Sequence, residues 1–158
     1  MPHRIDSAFR FIDAPPAAVY AEFADPKAME QWVPPGDMAA TMLHFDFRKG
    51  GRYRMRLTYR EPLGAGGKTS DDSDEVEVRF IELIEFRRIE QAVTFESSDA
   101  AFAGVMRMTW TFDSLRNGTL VTVRAEDVPR GIRPEDHEAA MKSTLDKLAS
   151  FLGAGAGT

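Results

Sequence analysis

Few residues of this chain have the types and spacing that chemistry requires, and the first candidate is a glycine-rich stretch. Gly67-Lys68-Thr69 has the sequence that ends a phosphate-binding loop. Such a loop needs a further glycine five positions before Gly67, a preceding strand and a following helix. Pro62 occupies that position, and an acidic turn with three aspartates follows, which would repel an anion. We therefore interpret this stretch as a hairpin connection and predict no nucleotide binding.

The next stretch partly matches a calcium-binding loop. Asp71, Ser73, Glu75 and Glu82 occupy ligand positions 1, 3, 5 and 12 of the EF-hand pattern. The sixth position requires a glycine but holds Val76, inside a predicted strand. Zinc has few ligands available, because the chain has no cysteine and its three histidines lack a paired spacing. We predict no metal site and no cofactor.

An enzyme would need a titratable group facing its binding site, which would be His137 or a buried Asp or Glu; His137 is a candidate because an ordinary histidine titrates near neutral pH. Such a histidine more often caps or packs a helix. The chain has no cysteine nucleophile and no GxSxG motif, and Ser143 and Thr144 have no evident base nearby. We assign no catalytic residue, and whether the protein is an enzyme stays open.

Composition indicates one globular domain that binds no nucleic acid and has no membrane span. The chain has 158 residues and a net charge of -5, with acids and bases interspersed rather than gathered in a basic stripe. No run approaches the ~20 apolar residues that a membrane-spanning helix needs. The first eleven residues, MPHRIDSAFRF, lack the long apolar core of a signal peptide. Together with the lack of cysteine, this predicts a cytoplasmic protein.

Two short helices are predicted directly after a first strand. Residues Ser7 to Phe11 alternate, which is typical of a strand. Asp13-Ala14-Pro15-Pro16 then begins a helix, since proline is tolerated in the first turn. Asp25-Pro26 repeats the start signal, with Asp25 as the N-cap of a second helix that carries Trp32.

A run of strands follows. Apolar and polar residues alternate with period two, as in half-buried antiparallel strands, in stretches that begin near Leu43, Arg52, Glu75, Ile89, Met106 and Val121. The alternation slips at Phe80-Ile81, which predicts a bulge. Asn117-Gly118 is the strongest hairpin signal in the chain.

A long helix ends the chain. Glu135 and Asp136 favour its first turn, and Met141, Leu145, Leu148 and Leu152 form its apolar stripe. We expect Gly153 to close this helix and residues 153–158 to fray. Strands grouped together with helices at either end predict an α+β fold, in which the long helix covers one face of an antiparallel sheet.

A cavity is expected between this sheet and the last helix. A strongly bent sheet closed by one helix leaves space, and methionine side chains adapt to varied ligands. Tyr53, Tyr59 and Trp110 offer polar groups there, and Trp32 is expected at the mouth. The predicted ligand-binding residues are Trp32, Tyr53, Met55, Leu57, Val78, Phe80, Met106, Met108, Trp110, Met141 and Leu145.

Three segments and the terminal helix carry a family resemblance. These segments, DAPPAAVYAEFADPKAMEQWVPPG, KGGRYRMRLTY and AFAGVMRMTWTF, resemble the START-like helix-grip superfamily, also called SRPBCC. Within it the chain is most similar to bacterial homologues of the heat-shock protein 90 ATPase activator, over about residues 7–152. The resemblance implies a single domain over 1–158 with an ordered core at 7–152. Its curved antiparallel sheet of about six to seven strands wraps around a long C-terminal helix and a cavity.

Members of this superfamily bind lipids, hormones and polyketides, or catalyse cyclisation. The resemblance therefore implies binding of a small, largely apolar ligand of the lipid, polyketide or aromatic class, by a monomer or weak homodimer. Two alternatives stay open. One is a cyclase- or hydrolase-like enzyme in the same cavity, and the other is a protein-interaction module that acts as a chaperone activator does.

Overall fold

Seven strands form one antiparallel sheet in the order β1-β7-β6-β5-β4-β3-β2. The structure, a computed structural model, describes residues 4–34, 36, 38–58, 73–97 and 99–156. Gly67-Lys68-Thr69 and Tyr59 lie outside the described residues. The strands are β1 (Ile5–Ile12), β2 (Ala39–Phe45), β3 (Arg52–Thr58), β4 (Ser73–Ile84), β5 (Arg88–Phe95), β6 (Met106–Leu115) and β7 (Gly118–Glu126).

Three helices complete the α+β fold and confirm the predicted arrangement. They are α1 (Pro16–Phe23), α2 (Pro26–Trp32) and α3 (Pro134–Ala156), with one 3-10 turn at Ala100–Phe102. Asp25 caps α2, because its carboxylate accepts hydrogen bonds from the backbone N–H groups of Lys27 at 3.0 Å and Ala28 at 3.3 Å. Both short helices therefore begin where the aspartate and proline signals place them.

The last helix is longer than the sequence predicts. It was expected to close at Gly153, but α3 continues to Ala156. Glycine costs about 1 kcal/mol relative to alanine in a helix, yet it keeps the backbone N–H that the helix needs. Leu152 and Ala154, which flank Gly153, are both good helix formers, so the helix can continue through the glycine.

The turn between β6 and β7 is offset by one residue from the Asn-Gly signal. Arg116 and Asn117 form it with φ of 50° and 68°, the conformation of a two-residue type I′ turn. Gly118 is instead the first residue of β7. A Cβ atom on Gly118 would lie 2.5 Å from Cζ of Phe11 and 2.6 Å from the carbonyl oxygen of Ile12. The glycine is therefore needed for the close approach of β1.

The bulge predicted at Phe80-Ile81 is confirmed, since the register between β4 and β5 shifts between Phe80 and Glu82. Phe80 exchanges two backbone hydrogen bonds with the glycine turn before β3. Gly50 N–H donates to its carbonyl at 2.8 Å, and its own N–H donates to Gly51 at 2.9 Å. The bulge thus ties the β2–β3 turn to the centre of the sheet.

The helices bridge the two edges of the sheet. Helix α3 packs against edge strand β1 and against α2, and α2 packs against the other edge strand, β2. Two side chains of α3 fix the junction with α2. Thr144 Oγ1 donates to the carbonyl of Val33 at 3.0 Å, and Lys147 Nζ donates to the carbonyl of Pro34 at 2.5 Å. The core lies between these helices and the inner face of the sheet.

The acidic residues that resemble a calcium loop are used differently where the structure describes them. The Glu75 carboxylate on the outer face accepts hydrogen bonds from Arg54 at 3.1 Å and Arg56 at 3.2 Å. Asp71, the first position of the pattern, lies outside the described residues. No group of three potential metal-ligating side chains occurs among the residues that are described. Within the same part of the chain, no helix is both long and apolar enough to cross a membrane.

Candidate ligand-binding cavity

A cavity of about 170 Å³ lies between the inner face of the sheet and the helices α2 and α3. Strands β3, β4, β5 and β6 contribute its floor, and α3 contributes Ala140 and Met141 from its apolar stripe. Eight of the eleven predicted residues line it: Trp32, Tyr53, Leu57, Val78, Met106, Met108, Trp110 and Met141.

The other three predicted residues, Met55, Phe80 and Leu145, do not line the cavity. They are at most 1% exposed and lie in the solid core. Phe80 packs against the rings of Phe47 and Tyr53, with centroids 5.1 Å and 5.8 Å away. Alternation along a strand identifies its inner face but does not indicate how far along the strand the cavity extends.

Trp32 forms part of the inner wall rather than the mouth. It is fully buried, and its ring lies edge-on to Phe23, with centroids 4.7 Å apart, and to Trp110 at 6.3 Å. Its indole nitrogen is buried and has no hydrogen-bond partner among the described residues. A buried N–H donor without a hydrogen-bond partner lowers the stability of a fold, so this wall of the cavity carries an energetic cost.

One cross-strand row carries two buried polar side chains across the inner face. In this row Asp6 of β1 is paired with Ala125 of β7. Met108 of β6 comes next, paired with Ala125 on one side and with Gln91 of β5 on the other. Asp6 is 9% exposed and Gln91 is 3% exposed. Both occupy positions where alternation places apolar residues, so the row is polar at its two ends and apolar between them.

Gln91 is oriented by a tryptophan. Trp110 Nε1 donates a hydrogen bond to Oε1 of Gln91 at 3.0 Å. The indole N–H can only donate, so it fixes the carboxamide oxygen on its own side. The amide nitrogen of Gln91, which carries two N–H donors, is therefore left for a group inside the cavity.

His137 is oriented by a carboxylate. Its Nδ1 lies 2.8 Å from Oδ2 of Asp6, and the guanidinium of Arg4 donates to the same carboxylate at 2.8 Å and 3.2 Å. His137 lies seven residues before Thr144 on α3, so both face the same side of the helix. The chain Arg4–Asp6–His137 thus joins β1 to α3 and ends in an imidazole that lines the cavity.

The protonation states of these groups follow from their surroundings. Burial raises the pKa of Asp6, but hydrogen bonds and charge from Arg4 and His137 outweigh it, so the net pKa is lowered. Asp6 is therefore a carboxylate at neutral pH, and Nδ1 of His137 carries the hydrogen between them. Burial raises the pKa of Tyr53 in the cavity floor, so its phenol stays neutral.

Asp6 is expected to make the free energy of unfolding depend on pH in the acidic range. Its pKa is below the ordinary value of 3.8, so its contribution is complete above that pH and is lost as pH falls through the lower, folded value. Asp6→Asn is expected to flatten the decline in unfolding free energy as the pH falls below about 4, measured by urea denaturation. Asp146→Asn, which removes the exposed Arg10–Asp146 ion pair between the same elements, is the control. Equal slopes in wild type and Asp6→Asn would contradict the assignment.

A second, larger depression of about 790 Å³ lies on the surface between α2 and α3. Six of its eight lining residues have polar side chains, among them Gln31, Lys142, Asp146 and Ser150. Solvated polar side chains on an open groove give little energy for binding an apolar molecule, so the smaller buried cavity is the better candidate site.

The sequence interpretation missed Asp6 and Gln91. The signal was present in the alternation: Gln91 lies between Ile89 and Val93 on one face of β5, and Asp6 lies two residues before Ala8 on β1. A polar residue at a core-facing strand position needs a buried partner. Here those partners are Trp110 for Gln91, and Arg4 and His137 for Asp6.

An antiparallel sheet of seven strands, closed by a long C-terminal helix with two short helices after the first strand, defines the START-like or SRPBCC helix-grip class. Residues 13–153 match the family described as Activator of Hsp90 ATPase homolog 1-like protein. The chain belongs to that family. No curated protein sequence matches the chain.

Solved structures agree with this fold. A Chromobacterium violaceum protein is 29% identical with a TM-score of 0.79, over 92% of this chain and 94% of that one. A Mycobacterium smegmatis protein is 17% identical with a TM-score of 0.75, over 98% of each chain. An AHSA1-like protein of Aeromonas hydrophila is 17% identical with a TM-score of 0.72, over 97% of this chain and 94% of that one. The last two similarities are of fold alone.

Proposed function

We propose that this protein binds a small, largely apolar molecule in the cavity between sheet and α3, acting in the cytoplasm as a monomer or weak homodimer. The observation that carries the proposal is the cavity of about 170 Å³, lined mainly by aromatic, methionine and aliphatic side chains. Polar side chains are a minority of its lining, and two of them, Gln91 and His137, are held by hydrogen bonds with Trp110 and Asp6. Apolar walls with a few fixed polar groups are the usual composition of small-molecule sites.

The volume limits the size of the molecule. An apolar cavity of about 150 Å³ accommodates one benzene ring. The cavity of about 170 Å³ therefore suits a single substituted ring or a short chain better than a long lipid. Of the predicted ligand classes, the aromatic class fits best.

Toluene is the simplest probe of the proposal. Trp32 and Trp110 line the cavity, so toluene is expected to change tryptophan fluorescence in a saturable way. Trp32→Phe should reduce the response and Trp110→Phe should reduce it separately, while binding raises the melting temperature in all three proteins. A response that does not saturate, or one unchanged by both substitutions, would contradict binding in the cavity. Native mass spectrometry of the purified protein would identify any small molecule that copurifies.

A second candidate function is chaperone activation, which the family description suggests. The outer face of edge strand β1 exposes Ile5, Phe9 and Phe11, with Phe9 71% exposed, and such a group of apolar side chains favours protein contact. The test is the ATPase rate of a purified bacterial Hsp90 with the wild type and with Phe9→Ser. A stimulation that Phe9→Ser abolishes would support this function, and no stimulation by the wild type would exclude it for that chaperone.

A further inference from the structure

Two of the polar side chains that line the cavity, Gln91 and His137, each have one hydrogen-bonding atom engaged by a neighbour and another left for a ligand. The carboxamide oxygen of Gln91 is occupied by Trp110, so Gln91 presents N–H donors. Nδ1 of His137 is engaged by Asp6, so Nε2 is the ring nitrogen left for a ligand. The cavity therefore offers N–H donors on β5 and an imidazole nitrogen on α3, with the apolar side chains of Met108 and Met141 also in its lining.

These two groups belong to different ends of the site. Asp6, beneath His137, and Gln91 lie in one cross-strand row, separated by Ala125 and Met108. Strands β1 and β5 are three interstrand spacings apart, so the backbones of Asp6 and Gln91 are separated by about 14 Å. Side chains that reach inward from both ends shorten this span, and a single ring with a polar group on each side is the simplest molecule to bridge it.

The geometry points to a ligand class: a single aromatic ring with a hydroxyl group at one end and a carbonyl group at the opposite end. The hydroxyl, which can both donate and accept, hydrogen-bonds to Nε2 of His137, the carbonyl accepts from the amide of Gln91, and the ring contacts the methionines between them. This inference rests on the proposed function and adds the polar chemistry of the ligand. Asp6 and Arg4 act as positioning residues, since they hold the imidazole without touching the ligand.

The same two groups provide selectivity. A ring without the carbonyl leaves the N–H donors of Gln91 unpaired in a buried site, and a ring without the hydroxyl leaves Nε2 of His137 unpaired. Sites built to hydrogen-bond a ligand reject analogues that lack the group more strongly than apolar pockets distinguish shapes. The ring alone, as in toluene, would bind but more weakly.

Calorimetric titration with three matched compounds tests this class. The compounds are 4-hydroxyacetophenone, acetophenone, which lacks the hydroxyl, and 4-ethylphenol, which lacks the carbonyl. In the wild type each analogue is expected to bind about tenfold more weakly than 4-hydroxyacetophenone, the loss of one buried hydrogen bond. Equal affinities for the three compounds would overturn the inference.

Two variants assign each preference to its residue. Gln91→Met should abolish the preference over 4-ethylphenol and keep the preference over acetophenone. The double variant Asp6→Leu/His137→Phe should do the reverse. It replaces both partners of the buried pair, so neither of these two is left unpaired, while Arg4, whose side chain is 27% exposed, loses its carboxylate where water can reach it. Asp146→Asn, which removes the exposed ion pair to Arg10 on the same two elements, should keep both preferences. Circular dichroism checks that each variant is folded.

The crossed pattern separates ligand recognition from a purely structural role. If His137 and Asp6 only joined β1 to α3, the double variant would change the affinities for all three compounds alike, and the inference would be wrong. If none of the three binds while toluene does, the ligand class is wrong and the apolar site stands. If toluene also fails to bind, the proposed function falls together with the inference.

Discussion

Leu148→Ala is expected to lower the free energy of unfolding by about 2–5 kcal/mol, whereas Met141→Ala is expected to cost about 1 kcal/mol. Both residues belong to the apolar stripe of α3, but Leu148 is fully buried in the solid core, while Met141 borders the cavity. A side chain beside a cavity lacks contacts on one side, so its removal loses less dispersion energy. Urea denaturation of both variants measures the difference.

The same pair of variants should also differ in binding. Met141→Ala enlarges the cavity and should admit apolar rings bulkier than toluene, because apolar cavities of this kind accept such molecules. Leu148→Ala should leave the affinity for toluene nearly unchanged. A loss of stability at Met141 as large as at Leu148, without any gain in binding of bulkier probes, would show that α3 packs against a solid core.

Filling the cavity should abolish binding. Ala140 lines the cavity, so Ala140→Phe places a ring in the space that a ligand would occupy. We expect the affinity for toluene to fall at least about tenfold, which is 1.4 kcal/mol, with little loss of stability because the new ring fills existing space. Calorimetric titration and urea denaturation of the same variant measure the two effects.

The neighbouring alanine provides a matched control. Ala139 lies one residue earlier on α3 and lines the surface groove rather than the cavity. Ala139→Phe adds the same ring to the same helix and should leave toluene binding unchanged. Equal loss of binding in both variants would indicate a general effect on α3, and retained binding in Ala140→Phe would place the ligand elsewhere.

The fold was predictable because its signals are local and repeated. Alternation marked the strands, the slip at Phe80-Ile81 marked the bulge, and the Asp-Pro pair at Asp25 marked the start of α2. The observed positions of two element boundaries differ from the predicted ones, because these boundaries depend on neighbours in space or on competing helix propensities. The hairpin turn lies one residue earlier than predicted because Gly118 must accommodate Phe11. Helix α3 continues past Gly153 because Leu152 and Ala154, which flank it, are good helix formers.

The apolar part of the candidate site was predictable for a similar reason, since inner-face residues follow from alternation. The polar part was not, because it depends on pairs far apart in the chain. Asp6 and His137 are 131 residues apart, and no local pattern indicates their contact at 2.8 Å. What the sequence does contain is the anomaly itself, a carboxylate and a carboxamide, Asp6 and Gln91, at core-facing positions.

Methyl NMR of the methionines tests the central claim, ligand binding in this cavity, most directly. Four of the eight methionines, Met29, Met106, Met108 and Met141, line the cavity, while Met42 and Met55 lie outside it. In protein labelled with ¹³C at the methionine methyl groups, toluene should shift the four cavity resonances along one saturable curve and leave those of Met42 and Met55 in place. Unchanged cavity resonances at saturating toluene, or equal shifts at Met42 and Met55, would contradict the account.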